Sequence, residues 1–452
     1  MSRCAVIAGI AWVMAVSCGS PAAEPSPAQR GEKALLGRHF TPPTFSLSAY
    51  QNVWKFWDGT LKEKPANYDE AFRAYYGLHS APYPNNGLPM GLREAPGLFG
   101  RKALASDCLL CHGGSIFGKS YVGLPNTSLD MEALFADLVA ADGLPRKTPF
   151  RFTTVRGTSE AGSMSVFLME MRYPDLKLRA PRLDLGLRPN LCEDAPAWWH
   201  LHKKKTMYHT GGADARSVRS LMQFMMSPFN GPGVFPQEEA TFADIREYLL
   251  SLRPPKYPLP IDRELAEKGE KIFGKTCARC HGTYGEKWTY PNRIVPLEEI
   301  GTDPTRYRGI SEEFGRYYNE SWFTQEKPGW LVDEYAAQPS PGYQAPPLDG
   351  IWATAPYFHN GSAPTLADVL NSKARPKIFS RSFRTEPEAY DPVKVGWKVQ
   401  VLERGADPRL PALERRKIYD TTQPGRGNGG HTFGDKLTDD ERKAVIEYLK
   451  GI

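Results

Sequence analysis

At 452 residues, with 24% charged side chains and a net charge of +6, the chain is long enough for two or three domains. It is too weakly basic to read as a nucleic-acid binder, because its one tight cationic run is Lys203-Lys204-Lys205. Its 41 glycines and 40 prolines exceed the usual share and predict long irregular connections.

Arg3 precedes an uncharged apolar run, Cys4 to Val16, which is too short to cross a bilayer and matches the core of a signal peptide over residues 1–23, cleaved near Ala23. Export to the periplasm or outer surface of a Gram-negative bacterium follows. Ala15-Val16-Ser17-Cys18 resembles a lipobox with Ala15 in place of the usual Leu, so lipidation at Cys18 stands beside ordinary cleavage as the only expected membrane attachment. Tyr50 to Tyr76 reads as helical segments rich in Trp and Tyr, and Gly, Pro and Asn then break the chain up to Arg101. No long alternating pattern appears, which predicts a mainly α class with extensive loops.

Cys108-Leu109-Leu110-Cys111-His112 has a second copy in Cys277-Ala278-Arg279-Cys280-His281. From the chain's own cysteine and histidine content, one such pattern is expected by accident about 0.002 times. Each supplies two thiols for thioether bonds and a histidine for iron, so the pair predicts two covalent c-type haems with His112 and His281 as proximal ligands. A four-thiolate zinc site fits poorly, because the two pairs lie 166 residues apart and zinc needs no histidine directly after each. Beyond Cys4, Cys18 and the four haem cysteines only Cys192 remains, which reads as a buried small hydrophobe.

The chain divides into two weakly similar halves. Thr241-Phe242-Ala243-Asp244 has the form of a helix cap, followed by Ile245, Tyr248, Leu249 and Leu252 on one face; Thr438-Asp439-Asp440-Glu441 repeats the cap before Val445, Tyr448, Leu449 and Ile452. Glu-Tyr-Leu occurs at 247–249 and again at 447–449. Pro254, Pro255, Pro258 and Pro260 make residues 254–261 a stiff linker between an N-terminal haem domain, 30–253, and a C-terminal cytochrome c domain, 262–452. Leu265, Gly269, Ile272 and Phe273 form a helical stripe before Cys277, and Gly269 costs roughly 1 kcal/mol relative to Ala unless packing requires it. This arrangement resembles cytochromes c, in which the helix before the haem motif crosses the last helix at a small residue.

The stretch from Pro347 to Leu366, containing Trp352, Tyr357, His359, Asn360 and Gly361, resembles the segment shared by dihaem cytochrome c peroxidases, the dihaem enzyme of methylamine utilisation and the haem rubber oxygenases. The match to the rubber oxygenases is closest. The Asn360-Gly361 turn can present His359 and Tyr357 toward a cofactor edge. Gly427 to Gly434 resembles the oxygenase segment that supplies the distal histidine of the second haem, a role the resemblance gives to His431. The peroxidases place a histidine soon after the first motif and a methionine after the segment aligned with His359. Here Gly113 to Asp130 holds neither His nor Met, and no methionine follows Gly361. These departures favour an open first haem whose distal face is lined from Trp198, Trp199, Met207, His209, Phe224 and Met225. Trp352 is the candidate for a position between the haems, although an indole also packs against a haem edge for burial alone. The function implied is a redox protein that passes electrons to or from a small partner protein, its second haem bis-histidine and its first open to O2 or H2O2. An electron carrier with both irons six-coordinate is the alternative.

Overall fold

The structure is a computed structural model that describes residues 24–57, 61–97, 100–145, 155–325, 335 and 340–452. The expected signal peptide, with Cys4, Cys18 and Ala23, lies outside the described residues. Helices and strands are mixed. The strands are short, two to five residues each, and form small antiparallel sheets such as Leu92–Pro96 against Lys102–Ser106. Segments this short leave no alternating run long enough to register as a strand, which is why the mainly α expectation understates the sheet content.

Each half is organised by a pair of crossed helices. In the second, Arg263–Thr276 is capped by Asp262, whose side chain accepts from the Leu265 N–H, and Asp439–Lys450 opens on a capping box between Thr438 and Glu441. They cross at Gly269, where a Cβ would lie 1.9 Å from the Ala444 carbonyl oxygen. Only a residue without a side chain permits that approach.

The first half repeats the crossing with a helix the sequence pattern did not disclose. Pro27–Gly37 starts on a capping box between Ser26 and Gln29, and it crosses Val234–Ser251 at Gly31, where a Cβ would lie 2.0 Å from the Asp244 carbonyl oxygen. Asp244 and Ala444 stand 200 positions apart, the same interval as the two Glu-Tyr-Leu triplets, so the two crossings share one register. Thr241 is therefore not a helix start. It lies inside an 18-residue helix, and Asp244 pairs with Arg30 on the crossing helix. Pro236, which looks like a helix breaker, falls in the first turn, where its missing N–H has no intrahelical partner to lose.

The halves meet through a second duplicated element. Ala195 to Ala213 and Ala345 to Ala363 run in parallel at an interval of 150 positions. Met207 pairs with Ala213 as Tyr357 pairs with Ala363. Tyr208 and Phe358 both take positive φ, 65° and 68°, and so do Gly211 and Gly361, 68° and 71°. Contacts between the copies are reciprocal: the Asp194 N–H donates to the His359 carbonyl at 2.7 Å, and the Gln344 N–H donates to the His209 carbonyl at 2.7 Å. The rings of His209 and His359 are 6.2 Å apart, and Trp199 Nε1 donates to the carbonyl of its counterpart Asp349 at 2.8 Å. A local pseudo-twofold axis passes between these pairs, as it does in an isologous contact.

Candidate haem centres

Both haem motifs fold into the same short helix, Leu109–His112 and Ala278–His281, in which the histidine N–H reaches back to the first cysteine's carbonyl at 3.1 Å. The two histidines then share a second feature. His112 Nδ1 donates to the Pro196 carbonyl at 3.1 Å and His281 Nδ1 donates to the Pro346 carbonyl at 2.8 Å. Pro196 and Pro346 are equivalent positions of the 150-residue repeat. A carbonyl that fixes one ring nitrogen leaves the other, Nε2, free and neutral for a metal. Burial favours the neutral ring as well, lowering His112 to about 4 against the opposing pull of the Pro196 carbonyl, and lowering His281 below its ordinary value.

Opposite His281 stands His431. Two imidazoles on opposite sides of one metal, with bonds of about 2.0 Å and ring centres about 1.1 Å behind each nitrogen, place their centres about 6.2 Å apart. The ring centres of His281 and His431 are 6.3 Å apart. They face each other across a cavity lined by Phe273, Cys277, Cys280, Leu366, Val369, Leu370, Val445 and Leu449, a surface that fits a flat apolar macrocycle tethered at one edge. His431 is held by several hands. Its N–H donates to the Ile300 carbonyl at 2.7 Å, and Arg375 donates to the carbonyls of Asn428, Gly430 and His431. Asn360 Nδ2 reaches the carbonyls of Gly425 and Gly427, and Ser362 Oγ that of Gly427.

His112 has different surroundings. Trp198 stacks on its ring with centroids 4.6 Å apart and planes at 20°, which is side-by-side packing and not the geometry of a second ligand. Cys111 packs with a cluster that includes Phe72, Tyr76 and Phe167; Cys108 packs with one that includes Met169, Met222, Met225, Met226 and Phe235. Among the described residues the aromatic ring paired with His112 is Trp198, not a second histidine. The counterparts of Asn360 and Ser362 are Thr210 and Gly212, so the device that holds the His431 loop is not repeated.

Other expected site residues are distributed between the two centres. Trp199 is buried against Asp349, Met207 in its pairing with Ala213, and Met225 in the methionine cluster beside Cys108; Phe224 is half-buried on the Gln223–Met225 turn. His209, expected at the first haem, instead lines the cavity between His281 and His431, its Nε2 donating to the Asp194 carbonyl at 2.7 Å. His359 and Tyr357 line the same cavity; Tyr357 donates to the carbonyls of Ile351 and Val395. Trp352 turns its indole N–H to the Pro255 carbonyl and packs between Phe117 and Tyr257, so it braces the linker to the first half. Sequence reasoning missed Arg375, for which a lone arginine gives no signal. It also missed Glu160, buried at the head of Ala161–Glu170 with φ of 45° and both carboxylate oxygens unpartnered, and raised to about 8 by burial.

Residues 342–380, which include Pro346, His359 and Arg375, match the family model described as RoxA-like, cytochrome c-like. The match supports membership of the rubber-oxygenase-like cytochromes and implies covalently bound haem c in a redox protein. Among curated proteins, the chain is 31% identical over 261 residues to the uncharacterized protein y4iJ of Sinorhizobium fredii, covering 44% of this chain and 41% of that protein. It is 32% identical over 241 residues to the uncharacterized protein y4iM of the same organism, covering 46% of this chain and 52% of that one. The chain thus spans about half or less of the length of the curated relatives it matches.

Proposed function

We propose that the protein is an exported dihaem c-type cytochrome of the periplasm or outer surface, built as two cytochrome-c-like domains, 30–253 and 262–452, joined by the 254–261 linker. Cys108 and Cys111 tether the first haem and His112 ligates it; Cys277 and Cys280 tether the second, ligated by His281 and His431. An iron held by two histidines passes electrons, whereas one held by a single protein ligand also reacts with O2 or peroxide. The observation that carries this reading is the contrast between the two motif histidines: His281 has His431 at a ring spacing of 6.3 Å, whereas His112 has Trp198 stacked on its ring. The first centre is then the reactive one and the second stores or supplies an electron exchanged with a small redox partner. Glu160, raised to about 8, provides a carboxyl in the first half that holds its proton at neutral pH.

One observation favours the runner-up, a non-catalytic carrier with both irons six-coordinate: the buried thioethers of Met222, Met225 and Met226 lie in the cluster beside Cys108. The two readings separate on the ferric protein's response to peroxide and the ferrous protein's response to O2. A spectral change at the first haem alone is expected, and two inert haems would leave the carrier. A mass increase equal to two haems is expected at the outset, and an increase of one would refute the dihaem assignment.

A further inference from the structure

The cavity between His281 and His431 is walled on one side by residues of the other half. Asp194, His200, Lys204 and His209 come from the first half and line it with Gln344 and His359 of the second, which Asp194 and His209 meet at the pseudo-twofold contact. Two of these groups lack a partner. His359 Nε2 is buried and makes no hydrogen bond, although the ring is fixed by stacking on Tyr343 at 4.2 Å. Lys204 lines the cavity, and among the described residues no carboxylate pairs with it, whereas its neighbour Lys203 is bound to Asp349 at 2.6 Å.

A haem tethered through its vinyl groups carries two carboxylates on the opposite edge, and a carboxylate entering a protein interior needs a cation or hydrogen-bond donors. Building on the dihaem reading above, we propose that this wall receives the carboxylate edge of the second haem, with Lys204 as counter-ion to a propionate and His359 Nε2 as a donor to it. The only acid among the described lining residues, Asp194, does not compete for Lys204. Its carboxylate is buried with no hydrogen-bond partner and forms no ion pair with Lys204, and burial raises it above the ordinary range, against the pull of Arg381. Burial lowers Lys204 itself to about 8, the shift a propionate would reverse. The consequence is a link between the centres. Pro196 fixes His112 of the first, and Lys204, eight residues on, holds the cofactor of the second.

The test is a potentiometric titration of the purified dihaem protein followed by optical and EPR spectra. A cation beside the haem disfavours the ferric state, so Lys204→Gln should lower the second haem's midpoint by about a tenfold change in the one-electron equilibrium, about 59 mV. The bis-histidine signal and the first haem's midpoint should stay as they were. Lys204→Arg should restore the midpoint, Lys205→Gln at the exposed neighbour should move neither, and His359→Gln should lower the second midpoint by less. An unmoved second midpoint in Lys204→Gln with both haems present overturns the proposal. Should Lys204→Gln fail to fold, an unmoved midpoint in His359→Gln does so. A protein that carries one haem, or whose second haem lacks the bis-histidine signal before any substitution, instead overturns the reading on which it rests.

Discussion

The two halves make the same helix crossing and the same haem-motif helix from very different lengths of chain. In the second half, eight residues separate the crossing glycine, Gly269, from Cys277; in the first, 77 separate Gly31 from Cys108. The added stretch supplies Leu47–Asn52, Val53–Phe56, Tyr68–Tyr76 and the paired strands Leu92–Pro96 and Lys102–Ser106, whose aromatic core packs beside Cys111. The ligand loop shows the opposite inequality. The second half has His431 held by Arg375, Asn360 and Ser362, whereas in the first Thr210 and Gly212 stand at the repeat positions of Asn360 and Ser362. A duplicated frame is thus elaborated around one haem motif and places a second histidine opposite the other, a difference that under the proposed function lets two identical motifs serve different chemistry.

Substitutions in the two halves should have unequal effects. The largest effect is expected from Cys277→Ala with Cys280→Ala, which should leave one covalent haem by mass and remove the bis-histidine spectrum; Cys108→Ala with Cys111→Ala should leave that spectrum in place. Next come the crossings. Gly269→Ala and Gly31→Ala each force a methyl group into a carbonyl and should cost about 1–3 kcal/mol in thermal or denaturant unfolding. Only the first should also disturb the second haem, because Phe273 on the same helix lines its cavity. Arg375→Ala strips the loop carbonyls of their donor, at about 1–3 kcal/mol for a buried acceptor left unpaired. It should convert part of the second haem to high spin, and an unchanged spectrum would mean that the loop holds its shape unaided. The smallest effect separates the two threonines: Thr438→Ala should cost about 1 kcal/mol as a lost cap, and Thr241→Ala, inside a helix, should stay within about 0.5 kcal/mol.

What the sequence disclosed and what it hid follow from how far apart the interacting residues lie. The haem motifs, the Thr438 cap and the Gly269 stripe are local, and the structure forms the corresponding helices where the pattern puts them. The Pro27–Gly37 helix escaped the pattern although Gly31-Glu32-Lys33 repeats Gly269-Glu270-Lys271, because its distance from the first motif conceals the correspondence. The 150-residue repeat was hidden for another reason. Its copies keep the turn residues and the proline carbonyls while changing nearly every side chain between them, so backbone geometry carries the likeness. His209 was assigned to the nearer motif because chain distance is all a sequence offers, whereas the pseudo-twofold contact delivers it to the other half's cavity. Arg375 joins the nearby carbonyls of Asp368 and Val369 to those of Asn428, Gly430 and His431 far along the chain, and no local pattern marks such a long-range contact.

Low-temperature EPR of the ferric protein, recorded beside its His431→Ala variant, tests the inequivalence of the two centres most directly. The account predicts one low-spin centre and one high-spin centre in the parent protein, with the low-spin signal converted to high spin in the variant. Two low-spin centres in the parent, or a variant spectrum identical to the parent's, would contradict it.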